Sequence, residues 1–220
     1  MTEHFLNLVR DALSEVPEDY YSSCLRSESA INLVLPNPTA AQRDLVESLR
    51  KYPERVFCYE LYHQMRILLD QRHECFPGVR LQCELKKYHI TDALRDEFGV
   101  GALDKEFIPN FLLHSPGDFD RQVAVMEVKC DPRLSTQAFI EDLSKIEQFI
   151  TQYRYDIGVA LTVNTDPERV QGIVGHPEFQ NWIAANSATS KKILWIWKND
   201  ARTKARMSRL QELAAGGSLI

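Results

Sequence analysis

The sequence predicts one α/β domain, a mixed β-sheet flanked by helices on both faces, with a helical N-terminal extension over residues 1–50 and the main domain over 51–220. Two observations carry this. Helical periodicity alternates along the chain with short β-rich runs, the order that builds a sheet covered by helices. The run at 157–163, Ile-Gly-Val-Ala-Leu-Thr-Val, is apolar throughout, as a strand buried on both faces must be. With strand 121–130 and helix 135–152 it forms a crossover unit, expected to be parallel and right-handed.

The elements follow in order. Residues 3–15 place Phe5, Leu8, Val9 and Leu13 on one helical face. Between Pro17 and Pro38 only the run 31–35 has strand character. Thr39 can cap a helix to about residue 51, and Pro53 then opens a second helix through about residue 69. Residues 79–85 alternate as a strand with one wet face, and a Pro-Gly-Asp turn joins runs 107–114 and 121–130 into a hairpin. Ser135 opens a helix with Phe139, Leu143, Ile146 and Ile150 at helical spacing. Segments 166–173 and 177–185 read as helices, 192–197 as a last strand, and 202–214 as a basic terminal helix. On so apolar a strand, Trp195 and Trp197 are expected in the core.

Size and composition fit a globular protein: 220 residues, 44% hydrophobic and 26% charged. No apolar run reaches the roughly 20 residues of a membrane span, and the first residues are too charged for a signal peptide, so the expected location is cytoplasmic with no membrane partner. Five scattered cysteines without a C-x-x-C pair argue against zinc or a disulfide framework. The net charge of −5 counts mildly against avid solitary DNA binding but leaves room for a local basic groove.

The hairpin carries the chemistry. Its first strand holds Pro109-Asn110 and its second ends in Glu127-Val128-Lys129. Residues two apart on a strand share a face, so Glu127 and Lys129 project together beside position 110. A carboxylate there can hold a divalent cation, and the ammonium can orient water and stabilise a developing phosphorane charge. A second Glu-x-Lys, Glu84-Leu85-Lys86, lacks a Pro-acid strand before it and reads as a solvated turn. Glu60 falls within the stripe Phe57, Leu61, Gln64 and Leu68, where a carboxylate is costly unless paired or metal-bound; Arg66 or Tyr62 could satisfy it instead. Lys145, Gln148 and Gln152 reach phosphate if their helix face lines the cleft, or form a solvated face if it does not. Arg202, Lys204, Arg206 and Arg209 would line the last helix with charge suited to a DNA backbone or an acidic partner. His114, beside the turn, reads as a structural histidine ahead of a general base.

With these residues the chain resembles the PD-(D/E)xK, restriction-endonuclease-like nuclease superfamily over roughly residues 53–164. The wording around Tyr59-Glu60-Leu61-Tyr62-His63-Gln64 and Pro109-Asn110-Phe111-Leu112-Leu113-His114 is similar to bacterial members that defend against foreign DNA. The resemblance implies a restriction-endonuclease-like core and metal-dependent DNA hydrolysis. It implies Mg²⁺ or Mn²⁺ held by Glu60, residue 110 and Glu127, with Lys129 orienting water. DNA is the implied substrate ahead of RNA, with other subunits of a defence complex and a second copy as candidate partners. Asn110 departs from the family aspartate: its amide oxygen can ligate but brings no charge, so catalysis should be impaired. Three explanations fit: an introduced inactivating change, a naturally silenced binding subunit, or takeover by Asp118 or Asp120. The alternative function is a non-catalytic nucleic-acid- or protein-binding subunit that keeps the fold.

Overall fold

The computed structural model describes residues 1–22, 39–84, 103, 107–117 and 120–216, with the backbone alone for 40–41 and 43–52. The expected strand at 31–35, the Gly99–Gly101 loop, Lys86, Asp118 and Cys24 lie outside the described residues. The chain runs α1 (Thr2–Glu15), α2 (Ala40–Gln71), β1 (Arg80–Cys83), β2 (Phe111–His114), β3 (Gln122–Lys129) and α3 (Thr136–Gln152). It continues through β4 (Ile157–Val163), α4 (Pro167–Val174), α5 (Pro177–Ala185), α6 (Ser187–Ser190), β5 (Ile193–Lys198), β6 (Arg206–Arg209) and α7 (Leu210–Ala214).

One six-stranded sheet holds the strands in chain order. The strands β1, β2 and β3 form an antiparallel meander, β3, β4 and β5 are parallel, and β6 returns antiparallel to β5. Every residue of β4 and β5 is buried, which explains their unbroken apolar sequence. The α3 crossover and the α4–α6 crossover both contribute to one apolar cluster with Leu112, Val125, Ala160 and Trp195. Successive crossovers of one hand between parallel neighbours land on one face, so this layer follows from the strand order.

The opposite face carries α1 and α2. Phe5, Leu8, Val9, Ala12 and Leu13 of α1 pack with Phe57, Cys58, Leu61, Met65 and Leu69 of α2 over Met126, Val128, Val159 and Leu161. Full burial of each Phe or Leu contributes roughly 1.5–3 kcal/mol. The expected 1–50 extension thus begins with a helix of the main core, and the 50/51 division falls inside α2. Asn164, at the end of β4, donates to the Tyr21 carbonyl at 2.9 Å, and the Lys198 ammonium lies 5.3 Å from the Tyr21 ring centre.

Two element expectations are corrected. Pro53 does not separate two helices but sits inside one helix of 32 residues that starts at the Thr39 cap. A proline within a helix loses one backbone bond and costs ~3 kcal/mol in isolation; α2 continues because its second half is anchored in the core at every turn. The expected basic helix 202–214 is instead a loop, β6 and a short α7. Sheet pairing of Trp197 with Arg206 and Leu194 with Arg209 outweighs the local helical preference of this segment. Both tryptophans are core residues as expected, with indole N–H groups donating to Thr162 Oγ1 and the Thr165 carbonyl, each at 2.8 Å. No helix of the described residues is long and apolar enough to cross a membrane, and among the described residues Cys58, Cys75, Cys83 and Cys130 form no disulfide.

Where α3 packs over Gly158 of β4, a Cβ would stand 2.0 Å from Ile146 Cγ2. Gly158→Ala should therefore destabilise the protein by about 1–3 kcal/mol through overpacking, read as a lower urea midpoint at unchanged slope. An unchanged midpoint would show that α3 can shift away freely.

Candidate functional site

The site is built at the C-terminal end of β3, where helices from both layers meet the sheet. Phe111 pairs with Met126, so the ladder brings Asn110 opposite Glu127. The Val128 N–H donates to Asn110 Oδ1 at 2.8 Å, and the Glu84 N–H donates to the Asn110 carbonyl at 3.0 Å. Asn110 is thereby fixed between β1 and β3. Alternation along β3 sends Val128 to the α1/α2 face and Val125 to the α3 face, so Glu127 and Lys129 share the α3 side.

Glu127 is 5% exposed, and its Oε1 is buried without a hydrogen-bond partner. Asp142 of α3, also buried, binds the Lys145 ammonium at 2.7 Å. Lys129 lies between layers: its Nζ is 3.6 Å from Asp142 of α3 and 3.7 Å from Glu54 of α2. Glu54 also accepts from the Cys130 backbone N–H. Three carboxylates and two ammoniums thus occupy one partly closed edge of the sheet.

Their titration follows from this crowding. Burial pushes the Glu127 carboxyl up to about 8, with Asp142 and Glu54 adding to the rise and Lys145 and Lys129 opposing it. Burial raises Glu54 as well, against the attraction of Lys129. Burial pulls down on the Lys129 ammonium, but Glu54, Asp142 and Glu127 together hold it above its ordinary value. Lys145 rises in the same way, through Glu127 and Asp142.

Of the residues expected from sequence, Asn110, Glu127, Lys129 and Lys145 are brought together. Glu60 is not brought to them: it accepts from Gln64 Nε2 at 2.7 Å and from the Tyr20 hydroxyl. The α2 carboxylate beside Lys129 is Glu54, six residues earlier, about 9 Å along the axis and on another side of the helix. Neither Arg66 nor Tyr62 supplies a bond to Glu60 here; Arg66 pairs with Asp70 at 3.5 Å and Tyr62 donates to the Leu81 carbonyl. The α2 stripe is Phe57, Cys58, Leu61, Met65 and Leu69, with Glu60 and Gln64 at its margin.

Asp120 cannot take over for Asn110, because it sits at the opposite end of β3, about 20 Å away along the strand. Glu84 of the other Glu-x-Lys pairs with Arg55 at 3.0 Å. His114 is buried and bonded through Nε2 to Gln82 Oε1. Arg202 and Lys204 lie on the β5–β6 loop, Arg202 paired with Glu18 at 3.0 Å. Arg209 donates to the Lys191 carbonyl, and Arg206 lies 5.9 Å from the Trp197 ring centre. The register runs Lys129, Thr162, Trp197, Arg206 across four neighbouring strands, so Arg206 is about 14 Å from Lys129 in the row of the cluster.

For Mg²⁺ or Mn²⁺ the donor chemistry fits: Glu54, Glu127, Asp142 and the Asn110 amide offer oxygen ligands, and Glu127 Oε1 is buried without a hydrogen-bond partner. Among the described residues, however, no three His, Cys, Asp or Glu side chains are grouped closely enough to hold a metal. The lysines occupy the carboxylates instead. Sequence reasoning missed Glu54 and Asp142. Their signals were an acid directly after Pro53 and an acid next to the stripe residue Leu143, three residues before Lys145. Compared with family models, curated proteins and solved structures, the chain matches none.

The pH dependence has a definite sign. Folded Glu127 keeps its proton up to about pH 8, whereas an unfolded glutamate releases it near 4.5. Its contribution to stability is full below about 4.5 and is lost as pH rises toward 8, with Glu54 acting in the same direction. The urea midpoint should fall across that window, and Glu127→Gln should flatten the fall. An equal slope in both proteins would refute the buried, protonated state of Glu127.

Proposed function

We propose that the chain is a nuclease domain of the PD-(D/E)xK type, acting on DNA in bacterial defence and weakened by the amide at position 110. The observation that supports this best is the convergence of Asn110, Glu127 and Lys129 with Glu54 at one strand end, reached through helix, three-stranded meander, helix and parallel strand. That order matches the span of the sequence resemblance, and it supports a restriction-endonuclease-like core.

In this reading Glu127, Glu54 and Asp142 would be the groups to hold a divalent cation, which when bound would polarise the phosphodiester and acidify water. The chain's own groups do the positioning. Lys129, charged across the physiological range, stands where it can orient water and offset charge on the phosphoryl oxygens. Asn110 holds Val128 and so fixes the strand that carries Glu127 and Lys129. Arg206, in the same row, is suited to a neighbouring phosphate.

A second reading is favoured by one specific feature: the lysines already neutralise the carboxylates and Asn110 adds no charge, as in a non-catalytic binding subunit. Position 110 separates the two. An aspartate there keeps the bond from Val128 N–H and supplies the missing charge. Asn110→Asp should cut plasmid or single-stranded DNA with Mn²⁺ at least tenfold faster than the unsubstituted chain, and Asn110→Asp/Lys129→Ala should not. If Asn110→Asp cuts neither DNA nor RNA while both proteins retain DNA, the binding-subunit reading replaces the enzyme.

A further inference from the structure

Outside the β3 cluster, the same edge of the sheet holds a cavity of about 270 Å³ between residues 18–22, the end of β4 and the β5–β6 loop. Its walls are held in place. The Tyr21 hydroxyl donates to the Leu13 carbonyl at 2.7 Å, and Asp200 Oδ1 accepts from the backbone N–H groups of Arg202 and Thr203, each at 2.8 Å. Asn164 lines the cavity where β4 ends, with a left-handed backbone, φ 62°, that asparagine tolerates better than most residues. Its carboxamide is only half used. Nδ2 donates to the Tyr21 carbonyl at 2.9 Å, whereas Oδ1 is buried with no hydrogen-bond partner. The residue is 2% exposed, and a buried acceptor without a donor is a standing cost. The charges around it balance. Glu18 and Asp200 are offset by Arg202, paired with Glu18 at the exposed rim at 3.0 Å, and by Lys198, which donates to the Ala201 and Thr203 carbonyls of the same loop. Neither an anion nor a cation is favoured; what the wall lacks is a donor for Asn164 Oδ1.

We propose that this cavity binds an amino-bearing nucleobase, whose exocyclic N–H donates to Asn164 Oδ1. The choice of a nucleobase rests on the nuclease reading; the need for a neutral donor rests on the cavity alone. A volume just under the ~300–1,000 Å³ of sites for drug-sized ligands fits one compact heterocycle. Asparagine carboxamides pair with adenine in this way, Oδ1 accepting from the amino group. A site built to accept such a bond rejects the analogue that lacks it. The exposed Glu18–Arg202 pair at the rim is weak enough to part for a ligand. Asn164 stands two residues beyond Thr162, the strand partner of Lys129, which puts it about 8 Å from Lys129. A strand with one phosphate at Lys129 can therefore lower an adjacent base into the cavity.

The test pairs adenosine with purine riboside, the same ring system without the amino group, titrated against the full chain and followed by NMR. Adenosine should bind at least tenfold more tightly and should shift the Asn164 side-chain amide. The comparison is repeated with a pentamer of deoxyadenosine and one of purine deoxyriboside. A preference shown by the free nucleosides assigns a pocket open to them; a preference shown only by the pentamers assigns a base delivered from nucleic acid. Equal affinities in both formats, no binding in either, or a preference that leaves the Asn164 amide unshifted would overturn the proposal. Asn164→Gly, which suits the left-handed backbone, should abolish the preference, and its survival there would also overturn the proposal. Should Asn164→Gly fail to fold, the probe comparison on the unsubstituted chain still decides. A preference for adenosine beside an inert Asn110→Asp keeps the pocket and removes the nuclease; cutting by Asn110→Asp without that preference does the reverse.

Discussion

The structure depends on gathering three carboxylates at one strand end, Glu127 and Asp142 buried and Glu54 partly so. Glu127 stands in the middle of that problem: it lies on a strand buried in all but its last residue, and that strand offers only one cation, Lys129. An isolated buried carboxylate is expensive, and two neighbours of like charge make it more so. The chain answers by bringing ammoniums from β3 and α3 into the cluster and by letting Glu127 hold its proton near neutrality. Lys129 does more than neutralise. Because Glu54 comes from the α2 layer and Asp142 from the α3 layer, it ties the two helix layers across the sheet end. Breaking such a pair from one side leaves an uncompensated buried charge, commonly a loss of about 3–5 kcal/mol.

That arrangement follows from topology. A meander followed by two parallel crossovers puts the ends of β3, β4 and β5 along one edge, the edge where α/β sheets offer their ligand crevice. The same register places Arg206 in the row of Lys129. A stability requirement and a functional opportunity therefore meet in the same residues. The charged end of β3 is costly to fold and is also the place where a phosphate would find cations presented by a rigid sheet.

Much of this was legible in the sequence because it is local. Glu127 and Lys129 share a face by strand alternation, Asn110 follows a proline on the partner strand, and a two-strand hairpin fixes their meeting. The apolar run of β4 and the spacing of Phe139, Leu143 and Ile146 settled the crossover. What escaped was set by distant contacts. Glu54 looks like a first-turn acid after a proline and becomes a site residue only because Lys129, far along the chain, lies beside it. Glu60 looked buried because a helix stripe drawn through Gln64 and Leu68 is rotated from the true one through Cys58 and Met65. The Arg-Met-Ser-Arg segment has no strand pattern of its own and is held extended by the edge of β5. Pro53 misled for the same reason: tertiary packing of α2 overrides a local helix breaker.

The most direct test of the central claim, that nucleic acid meets the protein at the end of β3, is a lysine footprint. Amine acylation of the free protein and of its complex with duplex or single-stranded DNA would be compared site by site by mass spectrometry. Lys129 and Lys145 should become protected on binding, while Lys191 and Lys192, before β5 at the far end of the sheet, keep their reactivity. DNA that binds while Lys129 and Lys145 react as before would contradict the account and move the contact elsewhere on the molecule.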